Sequence, residues 1–212
     1  MIPIALKKWL GIRHSCKSPN SIFIGLIGGV GDLISAAPSV AALKRKYPDA
    51  KINFGVGDGI FFNTIKNDPN IDHFETPFFY DVWKKRARRK TYREKYKEHD
   101  LVFLLDNGTQ DWWQPRKHLL DIYAEKCGVS LEERRPLIYL NDSDFEEAQK
   151  KIYELGISDK NKFLVLSPET RSKKKMKEWP YERFLLLIQK IRENHDFKII
   201  TLVSKDNPYN YD

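Results

Sequence analysis

The sequence predicts an α/β fold made of mostly parallel sheets, and three observations carry that prediction. Its strand candidates are short continuous apolar runs, IFIGLI at 22–27, LVFLL at 101–105 and FLVL at 163–166, as strands covered on both faces require. They alternate with segments of helical period, the order that builds parallel sheets through βαβ crossovers. The first run also leads directly into a glycine-rich turn, Gly28-Gly29-Val30-Gly31, which opens such a helical segment.

Each element can be justified in order. Residues 21–27 form the first strand. Residues 31–46 form a helix whose apolar face carries Leu33, Ile34, Ala37, Val40, Ala41 and Leu43. Pro38 lies inside it and is expected either to kink the helix or to open a second one as a first-turn residue. Residues 50–56 (AKINFGV) alternate as a second strand, 60–67 read as a short helix, and 72–75 as a short third strand. Residues 100–105 are the next buried strand, and 116–127 (RKHLLDIYAEKC) an amphipathic helix stopped by Gly128.

The pattern restarts near residue 141. Asn141, Asp142, Ser143 and Asp144 supply helix caps, 144–155 is a polar helix, 162–167 a strand, 180–194 a helix and 197–203 a strand. The division expected is a basic N-terminal segment (1–20), a Rossmann-like domain (21–140), a connecting helix (141–160) and the start of a second Rossmann-like domain (161–212). One βαβ unit cannot bury both faces of a sheet. The second domain is therefore expected to be incomplete, to open more readily than the first, and to leave the 212-residue chain inactive alone.

Composition narrows the class. A content of 41% hydrophobic and 31% charged residues can build a core and argues for a soluble protein. No run approaches the roughly 20 apolar residues of a membrane span. Lys7 and Lys8 interrupt the N-terminal apolar stretch, which makes it a poor signal peptide. Cys16 and Cys127 suggest neither a disulfide framework nor a zinc site, and a reducing cytoplasm is the natural setting. The net charge of +8 is concentrated in residues 84–97 (KKRARRKTYREKYK), where nine bases meet one acid. Such a run serves either as a solvated helix face or as a surface for anions: nucleic acid, phosphorylated lipid head groups or an anionic membrane.

The glycine turn is neither a dinucleotide fingerprint, which needs a third glycine where Ile34 stands, nor a phosphate-binding P-loop, which ends in Gly-Lys-Ser/Thr. Asp32 would oppose a phosphate there. It has two readings. It caps the helix, or, at the carboxyl end of the first strand where open α/β sheets hold their ligands, it accepts a proton from a substrate hydroxyl.

Taken together, Gly31-Asp32, Pro38, the following AALKRKYPDAKI and the later DPNID resemble the N-terminal half of glycosyltransferase family 9, which contains the ADP-heptose–lipopolysaccharide heptosyltransferases. The resemblance continues through DLVFLLDNG, His118 and the CGV ending of the 116–127 helix. It returns at Leu166-Ser167-Pro168 and at Lys177-Glu178-Trp179-Pro180, which is similar to the family's K-x-W-P element. It departs at PETRSKKKMK (168–177), longer and more basic than the family's spacing, and nothing after Val203 supplies the family's D-S/T-G-x-x-H-like loop.

The resemblance implies a GT-B fold and inverting transfer of a sugar, a heptose, from a nucleotide sugar to a lipopolysaccharide core or lipid A type acceptor. Asp32 would be the general base. Gly31, Thr170, Ser172 and Lys177 would bind the donor, with Lys177 and the helix starting near Pro180 neutralising the leaving diphosphate. Lys84, Lys85, Arg86, Arg88 and Arg89 would bind the acceptor. No metal or cofactor is implied beyond the co-substrate, ADP-heptose, and the enzyme would work in the cytoplasm, in peripheral contact with the inner face of the membrane. Two other classes stay open: a non-catalytic relative that binds an anionic glycan or lipid, and a nucleic-acid binder using 84–97 with Trp112 and Trp113. The latter has no recognisable motif behind it. Paired tryptophans beside a loop serve packing as often as stacking on a sugar, and His118 reads as a structural histidine opening its helix.

Overall fold

The computed structural model describes residues 18–78, 94–106, 117–170 and 177–211. They form two units, divided after Asn141. The first contains β1 (Ser21–Ile27), α1 (Val30–Lys46), β2 (Lys51–Gly55), α2 (Ile60–Ile65), β3 (His73–Glu75), β4 (Leu101–Asp106) and α3 (Leu119–Cys127). The second contains α4 (Asp142–Glu154), β5 (Phe163–Leu166), α5 (Tyr181–Asn194) and β6 (Lys198–Thr201).

The four strands of the first unit are parallel and ordered β3-β2-β1-β4. The chain therefore steps outward from β1 to β3 and then returns to β1's other side. The reversal lies between β1 and β4, where Ile27 registers against Asp106, and a crevice opens at such a point beyond the strand ends.

Alternation along the strands sorts the two faces. Ile22, Ile24 and Leu26 of β1, Ile52 and Phe54 of β2, and Leu101, Phe103 and Leu105 of β4 pack on one face against Leu33, Ala36, Val40 and Leu43 of α1, Ile65 of α2, and Tyr123 and Cys127 of α3. Burial pushes the Cys127 thiol up to about 12, so it behaves as a core residue. The other face carries Phe23, Gly25 and Gly55. Phe78 lies on the two glycines, where a β-carbon would stand 2.7 and 2.8 Å from its ring. Tyr96 stacks on Phe23 with ring centres 3.7 Å apart and donates to Glu75 at 2.7 Å. Phe78 and Tyr96 thus anchor the two ends of the stretch that contains the basic residues to this face.

α1 runs unbroken through Pro38, so Pro38 does not open a second helix. A proline lacks the N–H that would reach the carbonyl four residues back, here Ile34. The Leu137 N–H, from the extended segment after α3, donates to that carbonyl at 3.0 Å. The lost helical bond is replaced by a tertiary one.

In the second unit β5 and β6 pair in parallel. Tyr211 is buried and meets Tyr181 and Phe184 of α5 edge to face. No helix among the described residues is long and apolar enough to cross a membrane.

Candidate active site

The turn between β1 and α1 contains only Gly28 and Gly29. Gly29 is the N-cap of α1, in extended conformation, and the Asp32 and Leu33 amides donate to its carbonyl. With Gly29 as N-cap, Asp32 occupies the third helical position, from which a side chain can reach back over the helix start. Its Oδ2 accepts the Gly29 N–H at 2.6 Å. The capping reading is therefore correct as far as it goes.

A cap uses one oxygen, however, and the other is also engaged. Oδ1 accepts the hydroxyl of Tyr123 on α3 at 3.0 Å, across 91 residues of sequence. Tyr123 is completely buried, whereas Asp32 is half-buried and Gly29 and Gly31 are exposed. The carboxylate is thus gripped from the protein side and open toward solvent. Gly28 makes room for it: a β-carbon there would lie 2.5 Å from the Cβ, Cγ and Oδ2 of Asp32. Nothing stands within 4 Å of a β-carbon built on Gly31. Gly31 is helical and needs no unusual backbone, so neither fold nor packing demands a glycine at that place.

Sequence reasoning singled out Gly31 and Asp32 and missed Gly28 and Tyr123. The signal for Tyr123 is its position among Leu120, Ala124 and Cys127 on the buried face of α3, because a phenol carried into a core needs an acceptor. His118 is the N-cap of α3, its Nδ1 accepting the Leu120 N–H at 3.3 Å, which is the structural part read for it.

In the second unit Thr170 follows β5 and Lys177 precedes α5. The Thr170 N–H donates to the Glu178 carboxylate at 2.9 Å. Glu169 accepts both the amide and the hydroxyl of Ser204, at 2.6 and 2.8 Å, tying the residues after β5 to those after β6. Lys177 is exposed. Pro180 caps α5 without a side-chain bond to its first amides. Trp179 packs edge to face on Phe184, ring centres 5.3 Å apart. Ser172, Lys84, Lys85, Arg86, Arg88, Arg89, Trp112 and Trp113 lie outside the described residues.

No family model and no curated protein matches the chain in sequence. Solved structures do match it in fold. A glycosyl transferase family 9 protein from Veillonella parvula DSM 2008 superposes with a TM-score of 0.60 at 16% identity, over 87% of this chain and 69% of its own. The ADP-heptose lps heptosyltransferase II of E. coli gives 0.55 at 13% identity, over 87% of this chain and 65% of its own. TibC, a bacterial iron-containing dodecameric glycosyltransferase from enterotoxigenic E. coli H10407, gives 0.53 at 13% identity, over 92% of this chain and 44% of its own. At such identities the likeness shows a shared fold: α/β, Rossmann-like, of the GT-B type.

Proposed function

We propose that the chain is a member of glycosyltransferase family 9 that transfers a sugar with inversion from a nucleotide sugar to a lipopolysaccharide core or lipid A type acceptor. The observation that carries the reading is the Asp32 carboxylate. It stands at the end of β1, at the reversal of strand order, held on its protein side by the Gly29 N–H and the Tyr123 hydroxyl and open to solvent beyond. Each carboxylate oxygen has two lone pairs and spends one on these donors, so each can still take a proton.

In the reaction an acceptor hydroxyl oxygen bonds to the anomeric carbon while its proton passes to Asp32. The bond from that carbon to the diphosphate breaks, and the nucleoside diphosphate leaves with the electron pair. Lys177 and the first amides of α5 meet the negative charge that develops on the leaving group. Gly31, Thr170 and Ser172 line the donor. Gly31 leaves the helix start bare, so that a ligand can come close. Lys84, Lys85, Arg86, Arg88 and Arg89 attract the phosphates and acidic sugars of the acceptor. ADP-heptose is the donor, no metal or organic cofactor takes part, and the enzyme works at the cytoplasmic face of the inner membrane.

The test is Asp32→Asn in the full chain, assayed with ADP-heptose and a lipopolysaccharide core fragment. Turnover should fall by about two to four orders of magnitude, the usual worth of a positioned base, with donor binding kept. Near wild-type turnover removes Asp32 from the mechanism.

A further inference from the structure

We propose that Tyr123 is a positioning residue for Asp32, fixing the plane of its carboxylate so that an unspent lone pair faces the acceptor hydroxyl. The proposal rests on the reading of Asp32 as general base. One hydrogen bond to one oxygen leaves a carboxylate free to swing about that contact. Two bonds to different oxygens, from donors on different elements, define its plane. Asp32 has both, Gly29 N–H on Oδ2 and Tyr123 O–H on Oδ1, and it fills the space that a side chain at position 28 would take.

The two donors are themselves rigid. Gly29 is the first cap of α1, and Tyr123 is wholly buried in the same core cluster as Leu33, Val40 and Cys127. A carboxylate held this way does not lose orientational freedom when substrate arrives, which is how positioning raises a rate without tightening substrate binding. A helix cap alone would not need it. The Gly29 amide is satisfied by Oδ2, and the second oxygen of an exposed cap is ordinarily left to water. Tyr123 keeps its own proton throughout, because the base acts on the acceptor and the phenol only donates to it.

The experiment compares Tyr123→Phe, Asp32→Asn and the double variant in the full chain, using ADP-heptose and a lipopolysaccharide core fragment. Tyr123→Phe keeps the buried ring. Its kcat should fall about tenfold, what one hydrogen bond to a charged group is worth, with KM for ADP-heptose within about twofold. In the double variant Tyr123→Phe should cost nothing beyond Asp32→Asn, since a positioning residue has no further target. A wild-type kcat in Tyr123→Phe beside a slow Asp32→Asn overturns the positioning role and leaves the base standing. Equal, independent losses in the two backgrounds overturn it as well, because they mark a purely structural phenol. A wild-type rate in Asp32→Asn overturns the base and the positioning role together.

Discussion

The turn from β1 into α1 and the connection from β5 to α5 hold corresponding places in the two units, each joining a strand's C-terminal end to a helix. They are built in opposite ways. The first spends two glycines and delivers Asp32 onto a helix whose residues 35–43 are all buried. The second runs from 167 to 180, and among the described residues of its unit only Ile157, Pro168, Ile188 and Tyr211 are buried. In the first, a short turn and a closed core leave a side chain one place to go. In the second, Lys177 is exposed.

The largest expected break in this comparison concerns stability. Ile24 is fully buried in β1, and Ile24→Ala should cost about 2–5 kcal/mol. Leu186 of α5 is 51% exposed, and Leu186→Ala should change stability by less than about 0.5 kcal/mol. Native-state hydrogen exchange reads both, and the amides of β1 and β2 should be the slowest to exchange in the wild type. Equal costs at the two sites, or equal protection of β5 and β1, would erase the distinction.

The next effect sharpens the comparison within the first turn. Gly28→Ala drives a methyl into Asp32 and must displace the carboxylate. A shift of that kind should lower turnover about a hundredfold. Gly31→Ala meets open space in a helical backbone, and should keep or raise stability by up to about 1 kcal/mol. Any activity Gly31→Ala loses then reports on the ligand and not on the fold. Melting temperature and steady-state kinetics on both variants decide it, and a Gly28→Ala enzyme with normal turnover would mean that the orientation of Asp32 is not critical.

Much of this was legible in the sequence because local signals agreed. The runs at 22–27 and 101–105 became β1 and β4, Gly128 ends α3 in the left-handed conformation at φ 64°, and Asp32 stands where the turn suggested. What stayed hidden depends on residues distant in the chain. The group that takes up the Ile34 carbonyl left open by Pro38, the Leu137 amide, comes from 99 positions on. Tyr123 is one aromatic on a buried face until α3 is known to lie beside α1. Phe78 precedes a basic run that draws the eye and Tyr96 lies within it, and their shared seat on Phe23, Gly25 and Gly55 follows no periodicity. Gly28 was passed over for Gly31 because a glycine that makes room for a side chain looks the same as one that makes room for a ligand.

The smallest effect is at the other end of the first sheet, where a second carboxylate shows what Asp32 would be without its partners. Asp68 follows α2 and is buried. Its Oδ1 accepts the backbone and side-chain N–H groups of Asn70 at 2.9 and 2.8 Å, but its buried Oδ2 has no partner among the described residues. Burial raises its carboxyl above the usual carboxylate range, and the bonds from Asn70 only partly offset that. A raised folded value means that the folded state holds the proton more tightly than the unfolded chain does. The stability contributed is complete below the unfolded value, near about 3.9, and is lost as pH climbs through the raised one. Above that raised value the native state carries a charged oxygen without a donor among the described residues. Asp68→Asn keeps the Oδ1 acceptor and removes the charge, so it should stabilise the first unit by about 1 kcal/mol at neutral pH. The gain should shrink toward about pH 3, below the unfolded value, where Asp68 is protonated in both states. Denaturant unfolding at the two pH values measures it, and a gain that does not change with pH would mean that Asp68 finds a donor for its second oxygen, as Asp32 does in Tyr123.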